Sequence, residues 1–315
     1  GGAHREEVER CHACNAPMAG ATPIRKTLRI DNVETLPAER ITANDEERQR
    51  QGFEILTVFS WPWRRGRLDM HEAHLDAEEG RFATLQYAEG AQISRLNLGL
   101  RRRKEKSLYG FQIDPTNGNW TRLPDEAEGT PPDQERSVQI VPVVQDSKNA
   151  LLLRIANPGG YTAEAITTLQ HALLRGIEIV FQLEEGEILG DPLPTREDRR
   201  AILFYEATEG GAGVLSRLIR DAEAIRHVAH AALEVMHFED VDEAIAAGDT
   251  ARLQDRRDAP CVHGCYRCLL SYFNQPDHEA IDRTDDDALS MLIQVATATV
   301  TRGARAGLEA SGGWP

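Results

Sequence analysis

An α+β protein is predicted, with a β-rich N-terminal part followed by an α/β domain closed by a cysteine-ligated zinc loop. Three observations carry this. The runs FEILTVFSW, RFATLQYA, AQISRLNLGL, SLYGFQI and VQIVPVV lie between residues 53 and 144, as short β-rich stretches separated by turn residues. From about residue 150, strand-like runs alternate with apolar positions at helical spacing, an α/β order. Cys261, Cys265 and Cys268 then cluster near the end.

The elements follow in order. Residues 1–40 hold the knuckle CHAC and a proline-containing connector, and 41–149 form the β-rich domain. That domain opens with TANDEERQRQG, a short charged helix capped at Thr42 or Asn44 and stopped by Gly52. Thr121 to Arg136, rich in proline and acids, reads as an exposed loop. Residues 150–300 form the second domain and 301–315 a tail. Within it LLLRIAN reads as a strand, and YTAEAITTLQHALLRGI as a helix ending at Gly176. EIVFQLEEGEIL is a strand running into an acidic turn, and RAILFYEA a buried strand. GVLSRLIRDAEAIRHVAHAALEVMHF reads as one long helix, and DDDALSMLIQVATATV as the closing helix.

The chain carries 36 basic and 51 acidic residues, a formal charge of −15. Phosphate neutralisation drives nucleic-acid binding, so net charge does not select this chain as a binder and any grip must be local. The run LRRRKEKS, with Arg101, Arg102, Arg103 and Lys104, is the first local candidate for a phosphate contact. Trp61 and Trp63 beside Arg64 and Arg65 form a second, on which a base can stack. A solvated face or a partner surface is the plain alternative for both. No apolar run approaches the roughly 20 residues that cross a bilayer, and no signal-peptide pattern is present. Five cysteines in clusters with two- and three-residue gaps favour metal ligation in a reducing compartment over disulfides. A cytoplasmic protein without membrane contact is expected.

The segment APCVHGCYRCLLSYFNQPDH is the strongest signal. Cys265 and Cys268 form a knuckle that holds one zinc from a tight turn, Cys261 adds a third thiolate, and Gly264 gives the turn its backbone freedom. A structural zinc takes four ligands. His278, ten residues after Cys268, is the first choice for the fourth, ahead of His263 within the loop and of Cys11 or Cys14 arriving through space. Cys11 and Cys14 are half a site. They complete a four-thiolate set with Cys265 and Cys268, bind a second zinc with His4 or His12, pair with residues outside the chain, or bind no metal. One or two structural zinc ions are therefore expected.

In ILFYEATEGGAGVLSRL a buried strand runs into Gly210, Gly211 and Gly213 and then a helix. Such a loop presents backbone amides that receive an anion, although glycines also serve close helix–strand packing. No Gly-Lys-Ser/Thr follows, so it is not a phosphate-binding P-loop. Glu184, Glu187 and Glu206 make a Mg²⁺-dependent nuclease the enzymatic alternative. No Walker pattern and no DEAD- or DEAH-type box is present, which argues against ATP hydrolysis by this chain alone.

The YEATEGGAG loop, the long helix after it and CVHGCYRCLLSY followed by NQPDH and IDR resemble the MrfA-type zinc-binding domain. That domain lies at the C-terminus of superfamily 2 DNA helicases and in the DrmB component of the DISARM antiphage system. The resemblance is close over 160–290 and loose over 5–160. The family pattern, similar to Cys-x-Cys-x-x-x-Cys-x-x-Cys, places its last three cysteines on Cys261, Cys265 and Cys268 and its first on Ala259. It implies a structural zinc and a non-catalytic module that braces a superfamily 2 motor, in cis or in trans. It further implies DNA contact, single-stranded DNA included, in phage defence or DNA repair. A pure protein-interaction scaffold is the other alternative, one that suits the −15 charge.

Overall fold

Alternating apolar residues fix which face of the main sheet is covered. In the computed structural model of the protein, the described residues are 2–4, 8–19, 24, 26–29, 52–65, 67–78, 80–101, 103, 108–116, 118–121, 137–208, 210–259 and 261–303. The chain divides into two units, one of residues 1–17, 60–92 and 147–315, the other of 18–59 and 93–146.

Six strands form the main path: β1 (His71–Ala77), β2 (Gly80–Leu100), β3 (Val138–Ile155), β4 (Ile188–Pro194), β5 (Arg199–Glu206) and β6 (Thr299–Arg302). Their order is β4-β5-β3-β2-β1-β6. In the first unit β5 runs antiparallel to β3, with Ile202 opposite Leu153 and Phe204 opposite Leu151. The period of two sends Leu151, Leu153, Ile155, Ile202 and Phe204 into one apolar core. Among the described residues five α-helices supply the rest: α1 (Ala163–Phe181), α2 (Val214–Arg220), α3 (Ala222–Val235), α4 (Val241–Ala247) and α5 (Asp286–Thr297). Leu169, Leu173, Val228, Leu233, Met291 and Leu292 belong to the same core, each buried side chain contributing about 1.5–3 kcal/mol. Helix α3 packs against both α1 and α5.

The second unit has a smaller core of Leu96, Leu98, Val141 and Val143, covered by Ile24, Leu56, Val58 and Tyr109. Thr27–Arg29 pairs in parallel with Val141–Val143, and Phe111–Ile113 pairs antiparallel with Val138–Ile140. The mixed α and β content agrees with the predicted fold class.

Several local expectations are corrected. Gly176 does not end α1, which continues to Phe181. The glycine is needed for close approach: a Cβ there would lie 2.3 Å from the Val228 carbonyl oxygen on α3. Glu178–Phe181 is accordingly helical, and the strand begins only at Ile188. The expected long helix breaks at Asp221, whose extended backbone ends α2 while its side chain accepts from Glu223 N and caps α3. RFATLQYA and AQISRLNLGL form one 21-residue strand, and β3 runs through residue 149, where a domain boundary was expected. Nearly all of the expected 41–52 helix and of the 121–136 loop lies outside the described residues.

Candidate metal centre

Two separate stretches of backbone bring four ligands together. After α3, Met236 closes the helix and His237 turns the chain with a left-handed φ of 68°. Phe238–Glu239 then pairs with Gln254–Asp255, and Arg256 N donates to His237 O. This ribbon holds the His237 ring against the cysteine loop. In that loop Cys268 N and Leu270 N both donate to Cys265 O, and Cys265 N donates to Cys268 Sγ, so the knuckle is held by its own backbone.

The ligand atoms of His237, Cys261, Cys265 and Cys268 lie within 4.8 Å of one another. Cys261 Sγ is 3.7 Å and Cys265 Sγ 3.6 Å from Cys268 Sγ, and His237 Nε2 is 3.3 Å from Cys265 Sγ. A tetrahedral zinc with bonds of about 2.3 Å to sulfur has sulfur–sulfur edges of about 3.8 Å, so the set fits the ion. The cysteines are free thiols. Burial pushes Cys268 up to about 12 and moves Cys261 upward too. Cys265 is also desolvated, but bonds from His237 and the Arg267 backbone outweigh this and hold it near 6. Thiolate is the form a metal binds, and a cation among these sulfurs would displace the remaining protons.

The fourth position is therefore a correction: His237 stands with the cysteines, and His278 does not. His278 Nε2 is engaged 3.0 Å from Ser271 O and 2.9 Å from Asn274 Oδ1. His263 is exposed and pairs with Asp282 at 2.9 Å.

Arg283, which the sequence reading left without a role, locks the two ligand segments together. Its side chain is 2% exposed and donates to Cys261 O, to Met236 O beside His237, and to Asp255 Oδ1. It also lies over the Phe238 ring. Below the loop, Asp277 accepts from Arg196 and Arg199 and bonds His171 on α1. Of these groups Arg283, bonded to the Cys261 carbonyl, is the one that orients a ligand from outside the site.

Residues 169–269 match the family model of the MrfA Zn-binding domain. All four ligands lie inside that stretch, and His278 lies outside it. Within the matched segment the donor set is three thiolates and one imidazole, compatible with zinc. The crystal structure of the DUF1998 helicase MrfA bound to DNA aligns over 78% of this chain and 25% of that one, at 11% identity and a TM-score of 0.40. The chain thus spans a quarter of that protein's length. No curated protein sequence matches.

The glycine loop after β5 holds an anion of its own. Glu206, 1% exposed at the end of β5, accepts from Asn149 Nδ2 and from Leu215 N at the start of α2. A Cβ on Gly211 would fall 1.4 Å from Glu206 Oε2. Gly211 therefore makes room for an internal carboxylate, which already takes Leu215 N, an amide of the kind expected to receive an external anion. Glu184 and Glu187 are exposed and Glu206 is buried. Among the described residues the His237 set alone gathers three or more such ligands, so the nuclease acids do not converge.

The basic run is also corrected. Arg103 is buried, paired with Glu54 at 2.6 Å and set over the Tyr109 ring, so it is not a phosphate contact. Arg101 is exposed, and Arg102 and Lys104 lie outside the described residues. Trp61 is half-buried. Trp63 is 47% exposed on a small hairpin, Trp63–Arg64 against Arg67–Leu68. Arg64 pairs with Asp69, and Arg65 is exposed at the turn. No described helix is long and apolar enough to cross a membrane.

At the other end of the chain, Cys11 and Cys14 are both buried. Their sulfurs interact: the bond from Cys14 pulls the Cys11 thiol far down, and the same bond, with burial, drives Cys14 upward. They are not part of the His237 cluster.

Proposed function

We propose that the chain is a non-catalytic, zinc-stabilised module of a DNA helicase system, bracing an ATP-dependent superfamily 2 motor supplied in cis or in trans. The observation that carries this reading is the His237–Cys261–Cys265–Cys268 set within the segment that matches the MrfA Zn-binding domain. Four protein ligands close a zinc's coordination and leave no position for an activated water, so the metal holds the loop and performs no chemistry. MrfA itself is a DUF1998 helicase, hence the motor as partner. Phage defence and DNA repair are the settings in which such a module serves.

The Trp63 hairpin, with Arg64 and Arg65, is the DNA-contacting element of this reading, an indole on which an unpaired base stacks beside cations. Co-purification with a superfamily 2 helicase encoded beside it is the expected result, and a chain that stays alone would contradict it. Single-stranded oligonucleotide binding, read by fluorescence anisotropy, should fall about tenfold in Trp63→Ala, as loss of one stacked base implies. Affinity unchanged by that substitution and by added salt would favour the scaffold alternative.

A further inference from the structure

The N-terminal knuckle has the local build of a metal-binding turn, independent of the centre at the other end of the chain. Residues 10–17 form a tight hairpin. Arg10 bridges Pro17, Cys11 N donates to Ala16 O, and Asn15 N donates to Cys11 O, both at 2.9 Å. Asn15, directly after the second cysteine, takes a left-handed φ of 57°, a conformation that asparagine tolerates better than most residues. This reversal puts Cys11 and Cys14, 4% and 2% exposed, on the same inner side of the turn.

A third donor points there. Gly2 N donates to Cys11 Sγ at 3.3 Å, which lays the first residues across the knuckle. His4 Nε2 is buried with no hydrogen-bond partner. A Cβ on Gly2 would sit 3.4 Å from Cys11 Sγ and 3.5 Å from His4 Nε2, so the imidazole nitrogen and the sulfur converge on a space kept open by the missing side chain. The His12 ring meets the His4 ring edge-on at 5.0 Å and supports its orientation. A buried ring nitrogen without a partner calls for an occupant, a water or an ion. The Cys11 sulfur beside it, with Cys14 on the same turn, selects a borderline-soft cation over a hard one.

We infer that Cys11, Cys14 and His4 bind a second zinc ion, separate from the one held by His237, Cys261, Cys265 and Cys268. The three donors are less tightly gathered than the His237 set, so the ion draws His4 and the two sulfurs together and leaves one tetrahedral position for water. The ion ties the Cys11–Cys14 turn to His4.

The test is zinc per chain on the purified full-length protein, beside Cys265→Ser and the pair Cys11→Ser with Cys14→Ser. Two zincs in the wild type, and one in each variant, is the expected result. His4→Gln should keep the fold and release one zinc at a chelator concentration lower by a factor of ten or more. One zinc in the wild type overturns the inference whatever the variants do, so it does not depend on their folding. Two zincs kept by the Cys11/Cys14 variant, or both lost from it, would overturn it equally. A site lost only in Cys265→Ser would leave the C-terminal centre, and the helicase-module reading, untouched.

Discussion

His237 Nε2 lies 3.3 Å from Cys265 Sγ across 28 residues of chain. Between them run the Phe238–Glu239 and Gln254–Asp255 ribbon and helix α4. A metal at this junction closes a large loop and ties the end of the core helix α3 to the cysteine turn. Structural zinc in small domains supplies about 10–16 kcal/mol, far more than the few buried side chains of the knuckle provide. The metal is thus an integral part of the fold here.

Arg283→Lys should destabilise the protein by about 3 kcal/mol. One ammonium cannot reach Cys261 O, Met236 O and Asp255 together, as the guanidinium does, and although Asp255 is exposed, the cation left short of partners is buried. Urea unfolding measures this, and chelator competition should show zinc held at least tenfold more weakly. A loss below about 0.5 kcal/mol, the range of ordinary surface substitutions, would mean that Arg283 is not the clamp.

Asp277 gives the fold an acid limit. Burial alone would raise its pKa, but the His171 bond and the charges of Arg199 and Arg196 hold it down at about 2. A folded-state value below the unfolded one, 3.8, stabilises above the unfolded value and is lost as pH falls through the folded one. The contribution is about 2 kcal/mol, lost between roughly pH 4 and pH 2. His171 is lowered chiefly by burial, so it is neutral in the fold and weakens it as pH falls below 6.5. Comparing Asp277→Asn with wild type by chemical unfolding cancels the metal loss common to both. The stability difference should shrink by about 2 kcal/mol from pH 5 to pH 2, and a constant difference would contradict the assignment.

Gly211→Ala and Gly210→Ala separate crowding from backbone strain. Both glycines have positive φ, but a Cβ on Gly210 meets nothing within 4 Å, whereas one on Gly211 meets Glu206. Gly210→Ala should cost about 1 kcal/mol. Gly211→Ala should cost about 3 kcal/mol, because it also dislodges a buried carboxylate from Asn149 and Leu215 N. Equal melting temperatures for the two variants would show that Glu206 is not what the loop wraps.

The sequence made part of this legible through short-range patterns. The spacing of Cys261, Cys265 and Cys268 reflects a local turn, so it could be read directly. His237 could not, because it reaches the site through the end of a helix and a ribbon, with no fixed spacing to Cys261. A histidine at the close of an amphipathic helix, just upstream of the cysteines, was the only signal. Gly176 looked like a helix stop because its role, admitting the Val228 carbonyl, lies on another helix. Arg103 looked like a surface cation because its partner, Glu54, is 49 residues away. The glycine loop was recognised as an anion cradle, but the anion, Glu206, was already written four residues upstream of Gly210.

The most direct measurement is zinc content in His237→Ala and His278→Ala, each relative to wild type after the same mild chelator wash. The His237–Cys261–Cys265–Cys268 centre predicts that His237→Ala loses one zinc and His278→Ala keeps the wild-type content. Zinc retained in His237→Ala and lost in His278→Ala would contradict it.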